Sequence, residues 1–441
     1  MRIARVVPLL LAALPAAAAQ VTEVATALDE DRPLEVDIAA TYLHRRVETR
    51  IRRENLQGGS IALVDELQHA RTIDETDFRL AVGLYHDLEL HVVAPFVIRE
   101  AQDWDFATVG GVSVAATSTL ANNTIGVSGC AGAGTCTTPQ PIVVAPGHSQ
   151  RSGFRDPTIG VAWALIDEAR ELRIRPDLYP PGTPVATWVI GFDYTLPLPG
   201  QIDDPSLFGL AAAAGNPIST RELKRAHVFS GWTAFSKRFR RLDPYVLLRG
   251  SAAVPVKGAF DNCANPGQLS DVAAANCASP DWQNQARYQP PWQAGLALGS
   301  ELVLSEDAEQ GRKIALDVRG DLTWFGPGRD YTQAADMLGK LTYAEEYVNV
   351  LGSLAVYGRL ARWVQLRVSG VAGFDTAHFL TTESIGKDLN GNGSVTVSEG
   401  RGIAAPEQNP TYDFRLDQPG RRLRADNVFI WGLSGTLTLS F

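Results

Sequence analysis

The last fifteen residues constrain the fold more than any other stretch of the chain. From Asn427 to Phe441 one parity carries Phe429, Trp431, Leu433, Gly435, Leu437, Leu439 and Phe441, and the other carries Val428, Ile430, Gly432, Ser434, Thr436, Thr438 and Ser440. A period of two is the period of a strand. One face is apolar and the other mostly small and hydroxylic. The pattern recurs in Leu88, Leu90, Val92, Ala94, Phe96 and Ile98 against Glu89, His91, Val93, Pro95, Val97 and Arg99. It recurs again in Ile314, Leu316, Val318, Gly320, Leu322 and Trp324 against Ala315, Asp317, Arg319, Asp321 and Thr323. Strands of soluble sandwiches run about five or six residues. These runs are about ten to fifteen long, as a tilted strand needs to be to cross a hydrocarbon core.

Twelve such runs can be counted: near 34–46, 73–85, 88–102, 154–166, 185–196, 226–238, 243–255, 292–304, 313–325, 346–360, 363–374 and 427–441. An even number puts both termini on the periplasmic side. The inner connections are then 86–87, 167–184, 239–242, 305–312 and 361–362, mostly short; the outer ones, 47–72, 103–153, 197–225, 256–291, 326–345 and 375–426, are all long. That asymmetry, with Trp104, Trp292 and Trp324 at outer strand ends and Trp163 and Trp363 near inner ends, predicts an all-β fold. The expectation is a closed antiparallel transmembrane β-barrel of about twelve strands. The C-terminal strand resembles that of bacterial outer-membrane barrels, which usually ends in Phe after alternating apolar residues.

The compartment follows from the N-terminus. A basic start, Met1 to Arg5, an apolar core from Val6 to Leu14 and a small-residue site at Ala17 to Ala19 read as a signal peptide over 1–19. Residues 20–33 then form a periplasmic lead and 34–441 the barrel. No later stretch has the roughly twenty apolar residues of a spanning helix. With a net charge of −9 and dispersed basic residues, the chain has no footprint for nucleic acid. Cys130 with Cys136, and Cys263 with Cys277, are spaced as two local loop disulfides of an oxidising compartment, and no His stands near either pair at metal-ligand spacing.

Taking the apolar parity as lipid-facing, the lumen receives Asp77, Arg79, Glu89, His91, Arg99, Asp193, Arg249, Glu301, Asp317, Arg319, Asp321 and Arg367. Charges inside a membrane barrel must face water or one another, which suggests a narrow, charge-lined pore and, in the rival reading, ion pairs that only brace the wall. The acidic balance of the chain weakly favours neutral or cationic solutes. The stretch 106–150 lacks Asp, Glu, Lys and Arg altogether; it reads as an inward constriction, an apolar landing surface or a neutral surface loop.

The last outer loop contains Asp388-Leu389-Asn390-Gly391-Asn392-Gly393-Ser394-Val395-Thr396-Val397-Ser398-Glu399. Oxygen ligands at positions one, three and five, Gly at six, and Ser394, Thr396 and a closing Glu399 match a calcium-binding loop. The flanks do not read as paired helices, so the expectation is an isolated calcium loop that stiffens its surroundings; the alternative is an Asn/Gly-rich turn.

Gly153-Phe154-Arg155-Asp156-Pro157-Thr158-Ile159-Gly160, followed by Tyr194-Thr195-Leu196-Pro197-Leu198-Pro199-Gly200, resembles the outer-membrane proteins of phenol meta-cleavage pathways. Their fourth and fifth strands carry a Gly-x-x-Asp-x-x-x-Gly start and a Leu-Pro-x-Gly finish; here two residues, not one, separate Pro197 from Gly200. The resemblance implies a transport barrel for small, often apolar or aromatic compounds, in contact with outer-membrane lipid. Two other functions compete. One is a surface adhesin or purely structural barrel, suggested by the large loops. The other is a calcium-dependent outer-membrane phospholipase, for which His148, Ser149 and Ser152 are the nearest counterparts of its His-x-Ser pair; adjacent residues of a strand, however, point to opposite faces. No nucleotide or cofactor-attachment motif is present.

Overall fold

In the computed structural model the alternating runs become one wall. The structure describes residues 19–441 except 30–31, 123–140, 169, 172–184, 209–218, 221–222, 265–268, 270–275, 308–309 and 396–406. The barrel strands are β1 (Val36–Gln57), β2 (Ser60–Tyr85), β3 (Leu88–Phe106), β4 in two pieces (Gly147–Phe154 and Thr158–Ile166), β5 (Thr187–Thr195) and β6 (Ala226–Ser236). They continue as β7 (Leu242–Pro255), β8 (Gln293–Asp307), β9 (Arg312–Phe325), β10 (Tyr347–Ala361), β11 (Val364–Asp375) and β12 (Leu423–Ser440). Each pairs antiparallel with its sequence neighbours, and β12 pairs with β1, so the sheet has no free ends. At the seam the backbone N–H groups of Val36 and Phe441 each donate to the other's carbonyl at 3.0 Å. Closure satisfies backbone groups that lipid could not.

The outer face confirms the medium. Phe78, Leu80, Phe192, Leu298, Leu302, Val318, Leu354, Val368, Leu433 and Leu437 are all exposed along successive strands, an apolar belt with no soluble counterpart of that size. Trp163 and Trp363 are exposed near the inner strand ends, and Trp292 meets Trp324 edge-on at 4.2 Å near the outer ends. Trp104 does not join this girdle. It is buried, donates from Nε1 to the Val144 carbonyl at 2.9 Å, and belongs to a cap over the mouth. This is the wall of a bacterial outer-membrane barrel.

Three features depart from the expected wiring. The outer stretch 47–72 is not an irregular loop: β1 and β2 stay paired as far as Gln57↔Ser60. They turn through Gly58 and Gly59, both at positive φ (55° and 88°), which a two-residue hairpin matched to sheet twist requires. β4 begins earlier than expected but is broken at Arg155-Asp156-Pro157. Its inner piece pairs with β3 and β5. Its outer piece pairs with β3 and, among the described residues, on the other side only with Ser219–Thr220, in parallel. β5 stops because Pro197 and Pro199 cannot donate to a ladder; where it leaves, Leu196 N–H donates to the Pro157 carbonyl at 2.8 Å and Leu198 N–H to Asp156 Oδ1 at 2.8 Å.

The third departure is the lead. The segment expected in the periplasm enters the barrel: Ala19, Thr22 and Ala25 are buried, and Val24 packs against Ala162, Ala164 and Val189 of the inner wall. Small inward residues on β4 leave the room for it. The expected signal peptide, Ala19 apart, lies outside the described residues.

Candidate functional site: a charged lumen closed at both ends

Alternation places one residue in two inside the barrel, and the inward set is strongly ionic. Of the residues expected there, Asp77, Arg79, Glu89, His91, Asp193, Arg249, Glu301, Asp317, Arg319, Asp321 and Arg367 all lie on the inward parity of their strands. Arg99 does not. The β2–β3 register slips between Asp74↔Arg99 and Glu75↔Val97, so Ile98 and Arg99 both emerge on the outer face. Such a bulge inserts one residue and reverses parity beyond it. Glu100 therefore turns inward, where the expected parity would have sent it to lipid.

The lumen charges form clusters. On β2–β4, Arg71 grips Glu100 through two bonds of 2.8 Å, and Arg155 bonds Glu75 at 2.5 Å and Glu100 at 3.2 Å. Below them His91 is held between two carboxylates, its Nδ1 3.0 Å from Glu89 Oε1 and its Nε2 2.8 Å from Asp193 Oδ1. Arg79 pairs with Glu89, and Trp232 Nε1 donates to Asp193 at 3.0 Å. Opposite, Tyr245 donates to Asp317 at 2.8 Å, Arg367 pairs with Asp317, and Arg319 forks onto Asp321 at 2.6 and 2.7 Å. Arg249 donates to Thr323 Oγ1 at 2.8 Å. At the inner end Lys313 bonds Glu301 at 3.1 Å.

Several of these groups were not singled out from the sequence. Arg71, Glu75 and Lys313 share the parity of residues that were, and lay outside the predicted strand or went unweighed. Glu100 was hidden by the bulge, and Arg155 by the break in β4.

The lead is bonded into this lining. Gln20 N–H donates to Glu301 at 2.6 Å, and its side-chain oxygen accepts from Arg367 at 2.6 Å. Ala25 N–H donates to Glu89 Oε2 at 2.8 Å, Arg359 bonds Glu23 at 3.1 Å, and the Thr22 and Ser236 hydroxyls meet at 2.7 Å. The lumen clusters thus hold an inner plug.

The outer end is capped by loops. Leu120, Ile142 and Val143 from the uncharged stretch pack with Trp104, Phe208, Met337, Leu380 and Leu416. Those residues of the stretch are therefore folded inward, while the hairpin of Thr108–Val109 and Val112–Ser113 stays exposed on the surface. A buried cation ties the cap to the wall: Arg151 on β4 bonds Asp203 at 2.8 and 2.9 Å and Asp336 at 2.7 Å from each of two nitrogens, and Ser149 Oγ donates to Asp336 at 2.6 Å. Burial raises the Asp203 carboxyl to about 6 against the pull of Arg151.

Ser149 is thus buried with its hydroxyl spent, while His148 pairs with Asp103 at 2.7 Å on the opposite face of β4. The arrangement a phospholipase requires, base and nucleophile within reach of each other, is not made by this pair. Cys263 and Cys277 are joined in the loop between β7 and β8; Cys130 and Cys136 lie outside the described residues. In the expected calcium loop Asp388 accepts from the N–H groups of Gly391, Asn392 and Gly393 at 2.7, 3.1 and 2.7 Å, and Asn392 Oδ1 accepts from Ser394 N–H at 2.9 Å. Thr396 and Glu399 lie outside the described residues, and no cluster of three metal-ligating side chains occurs among those described.

Wall, belt and lining define an outer-membrane β-barrel. No known family matches the chain, and no curated protein matches it. Among solved structures it is similar to an outer membrane channel from Pseudomonas putida F1, at 12% identity over 92% of this chain and 95% of the other, with a TM-score of 0.43. It is also similar to a FadL homologue from Pseudomonas aeruginosa, at 9% identity over 92% and 90% of the two chains, TM-score 0.35. An anion-selective porin from Comamonas acidovorans gives 8% identity over 91% and 100%, TM-score 0.25.

Proposed function

We propose that the protein is an outer-membrane channel for passive uptake of small solutes, aromatic compounds among them, with its last outer loop stiffened by calcium. The observation that carries this reading is the wet interior. Arg249 and Arg79 point into the barrel at mid-height, yet their side chains keep 46% and 37% of their accessible surface. Inside a closed wall, that surface faces a solvated space between plug and cap, as charged groups in a membrane barrel must. The lumen carries both signs in near balance, so the acidity of the whole chain is not what selects the solute. Trp232 and Tyr245 add aromatic faces to the lining.

Passage requires the lead at 20–26 to yield, because it occupies the inner end. Its attachments are hydrogen bonds and ion pairs, several of them buried, with a small apolar contact at Val24 and no continuous apolar core, so they must be exchanged for water as a set when the lead moves. The calcium part rests on the ligand spacing of Asp388, Asn390, Asn392, Ser394, Thr396 and Glu399, together with the tight turn that Asp388 organises.

Single-channel recording of the refolded chain in a planar bilayer, with calcium and then EDTA, tests both parts. Steady openings are expected, noisier after EDTA. A silent bilayer with folded, heat-modifiable protein would leave the lumen charges as a brace, and identical traces before and after EDTA would remove calcium from the mouth.

A further inference from the structure

Outside the lumen, the outer loops enclose a cavity of about 490 Å³, within the range that small-molecule sites occupy. Three loops build it: Trp282 and Arg287 come from the connection between β7 and β8, Arg329 and Tyr343 from that between β9 and β10, and Glu383 and Lys387 from that between β11 and β12. Three cations thus line it against one carboxylate, in a chain whose net charge is −9.

The carboxylate is already committed. Glu383 accepts from Arg329 at 2.5 and 2.7 Å and from Asn409 at 3.0 Å. Arg329 is committed as well, to Glu383, Thr411 and the Gln285 carbonyl, and is buried. This pair is a fixed, neutral floor. Lys387 lies 4.9 Å from the Trp282 ring centre and bonds Gln285, a neutral partner. Arg287 is half-buried, and its guanidinium makes no hydrogen bond or ion pair among the described residues. A half-buried guanidinium in a cavity that Trp282 and Tyr343 also line lacks the anion that its planar fork is shaped to take.

We propose that this cavity captures small aromatic carboxylates, with the ring against the aromatic walls and the carboxylate on Arg287 and Lys387. An aliphatic acid would forgo the ring contacts. A neutral aromatic would leave the cations unanswered, and an inorganic anion would leave the rings unfilled. The site rests on the channel reading only for its purpose, which is to concentrate solute at the mouth; binding itself is independent of conduction.

The test is calorimetric titration of benzoate into the refolded full chain in detergent, beside cyclohexanecarboxylate, benzyl alcohol and inorganic phosphate. Benzoate should saturate one site at least about tenfold more tightly than the others, and Arg287→Gln should weaken it about tenfold or more, the worth of a bond to a charged group. Should Arg287→Gln fail to fold, Lys387→Gln on the exposed loop should weaken benzoate severalfold. Equal binding of benzyl alcohol or cyclohexanecarboxylate, or an unchanged benzoate affinity in the folded variant, overturns the proposal. Tighter phosphate than benzoate overturns it too, and assigns the cations to lipid headgroups. Benzoate binding with a silent bilayer would sink the channel and leave the site, whereas conduction without benzoate binding would do the reverse.

Discussion

At Gly160 the absence of a side chain is what permits the His91–Asp193 bond. A Cβ there would stand 2.1 Å from Asp193 Oδ1 and 2.3 Å from His91 Nε2, so Gly160→Ala must separate them. A loss of about 1–3 kcal/mol is expected from breaking a buried polar network, read as a lower denaturant midpoint. Gly231→Ala, where a Cβ meets nothing within 4 Å, should stay near the parent and serves as the control. A second residue-scale effect lies in the cap. Burial pushes the Asp417 carboxyl up to about 7. The folded cap therefore holds a proton that the unfolded chain has released, and stability falls as pH rises from the ordinary carboxylate range through 7. Asp413 behaves oppositely: burial pushes its carboxyl up, but Arg415 outweighs that and holds it low, so its contribution is lost only in acid. The cap should unfold at lower denaturant at pH 8 than at pH 5, and Asp417→Asn should shrink that difference. A variant with the same slope would place the proton elsewhere.

At the scale of elements, the reading of the sequence succeeded where alternation is unbroken and failed where one residue interrupts it. The runs from Leu88 to Val97, from Ile314 to Trp324 and from Phe429 to Ser440 keep strict parity, and their positions and inner faces were legible. The bulge at Ile98 and Arg99 adds one residue with no local signature, so every side chain beyond it changes face; Arg99 and Glu100 were exchanged for that reason. The break in β4 was written into the sequence as Arg155-Asp156-Pro157, but alternation resumes on its far side as Gly147 to Phe154, which reads as loop among so many small residues. The cap shows the same limit. Its anchor is Arg151, whose carboxylates come from loops 52 and 185 residues away in sequence, a convergence no local pattern announces. Arg151→Ala would leave two buried carboxylates without their cation, at a cost of about 3–5 kcal/mol. The expected sign is rapid proteolysis of the outer loops in a barrel that still runs as a folded species on a gel. Persistent protease resistance would mean the apolar cluster holds the cap alone.

For the whole molecule, the seam between first and last strands makes a ring whose interior is filled from both ends by its own chain. The lumen charges serve two purposes at once, since Glu89, Glu301 and Arg367 line the wall and also bind the lead. Their inward placement was legible from parity. Their second role was not, because residues 20–26 carry no period and nothing in a short polar segment says that it will be threaded rather than left in solvent. Removing residues 20–26 should raise single-channel conductance while leaving the outer loops protected. Unaltered conductance would show that the narrowest point lies at the cap.

The hairpin of β1 and β2 continues well beyond the apolar belt, from Arg46, Glu48, Arg50 and Arg52 on its outer face to the glycine pair at its tip. Those last dozen residues of β1 amount to roughly 40 Å of strand, and the tip is exposed. Up to Arg53 and Glu54 it leans on the last strand and its loop, so on a living cell only the tip beyond them stands clear. An epitope spliced between Gly58 and Gly59 would be visible to an antibody without breaking the envelope, so a single staining of intact bacteria would reveal which end of the barrel the cell shows to the world.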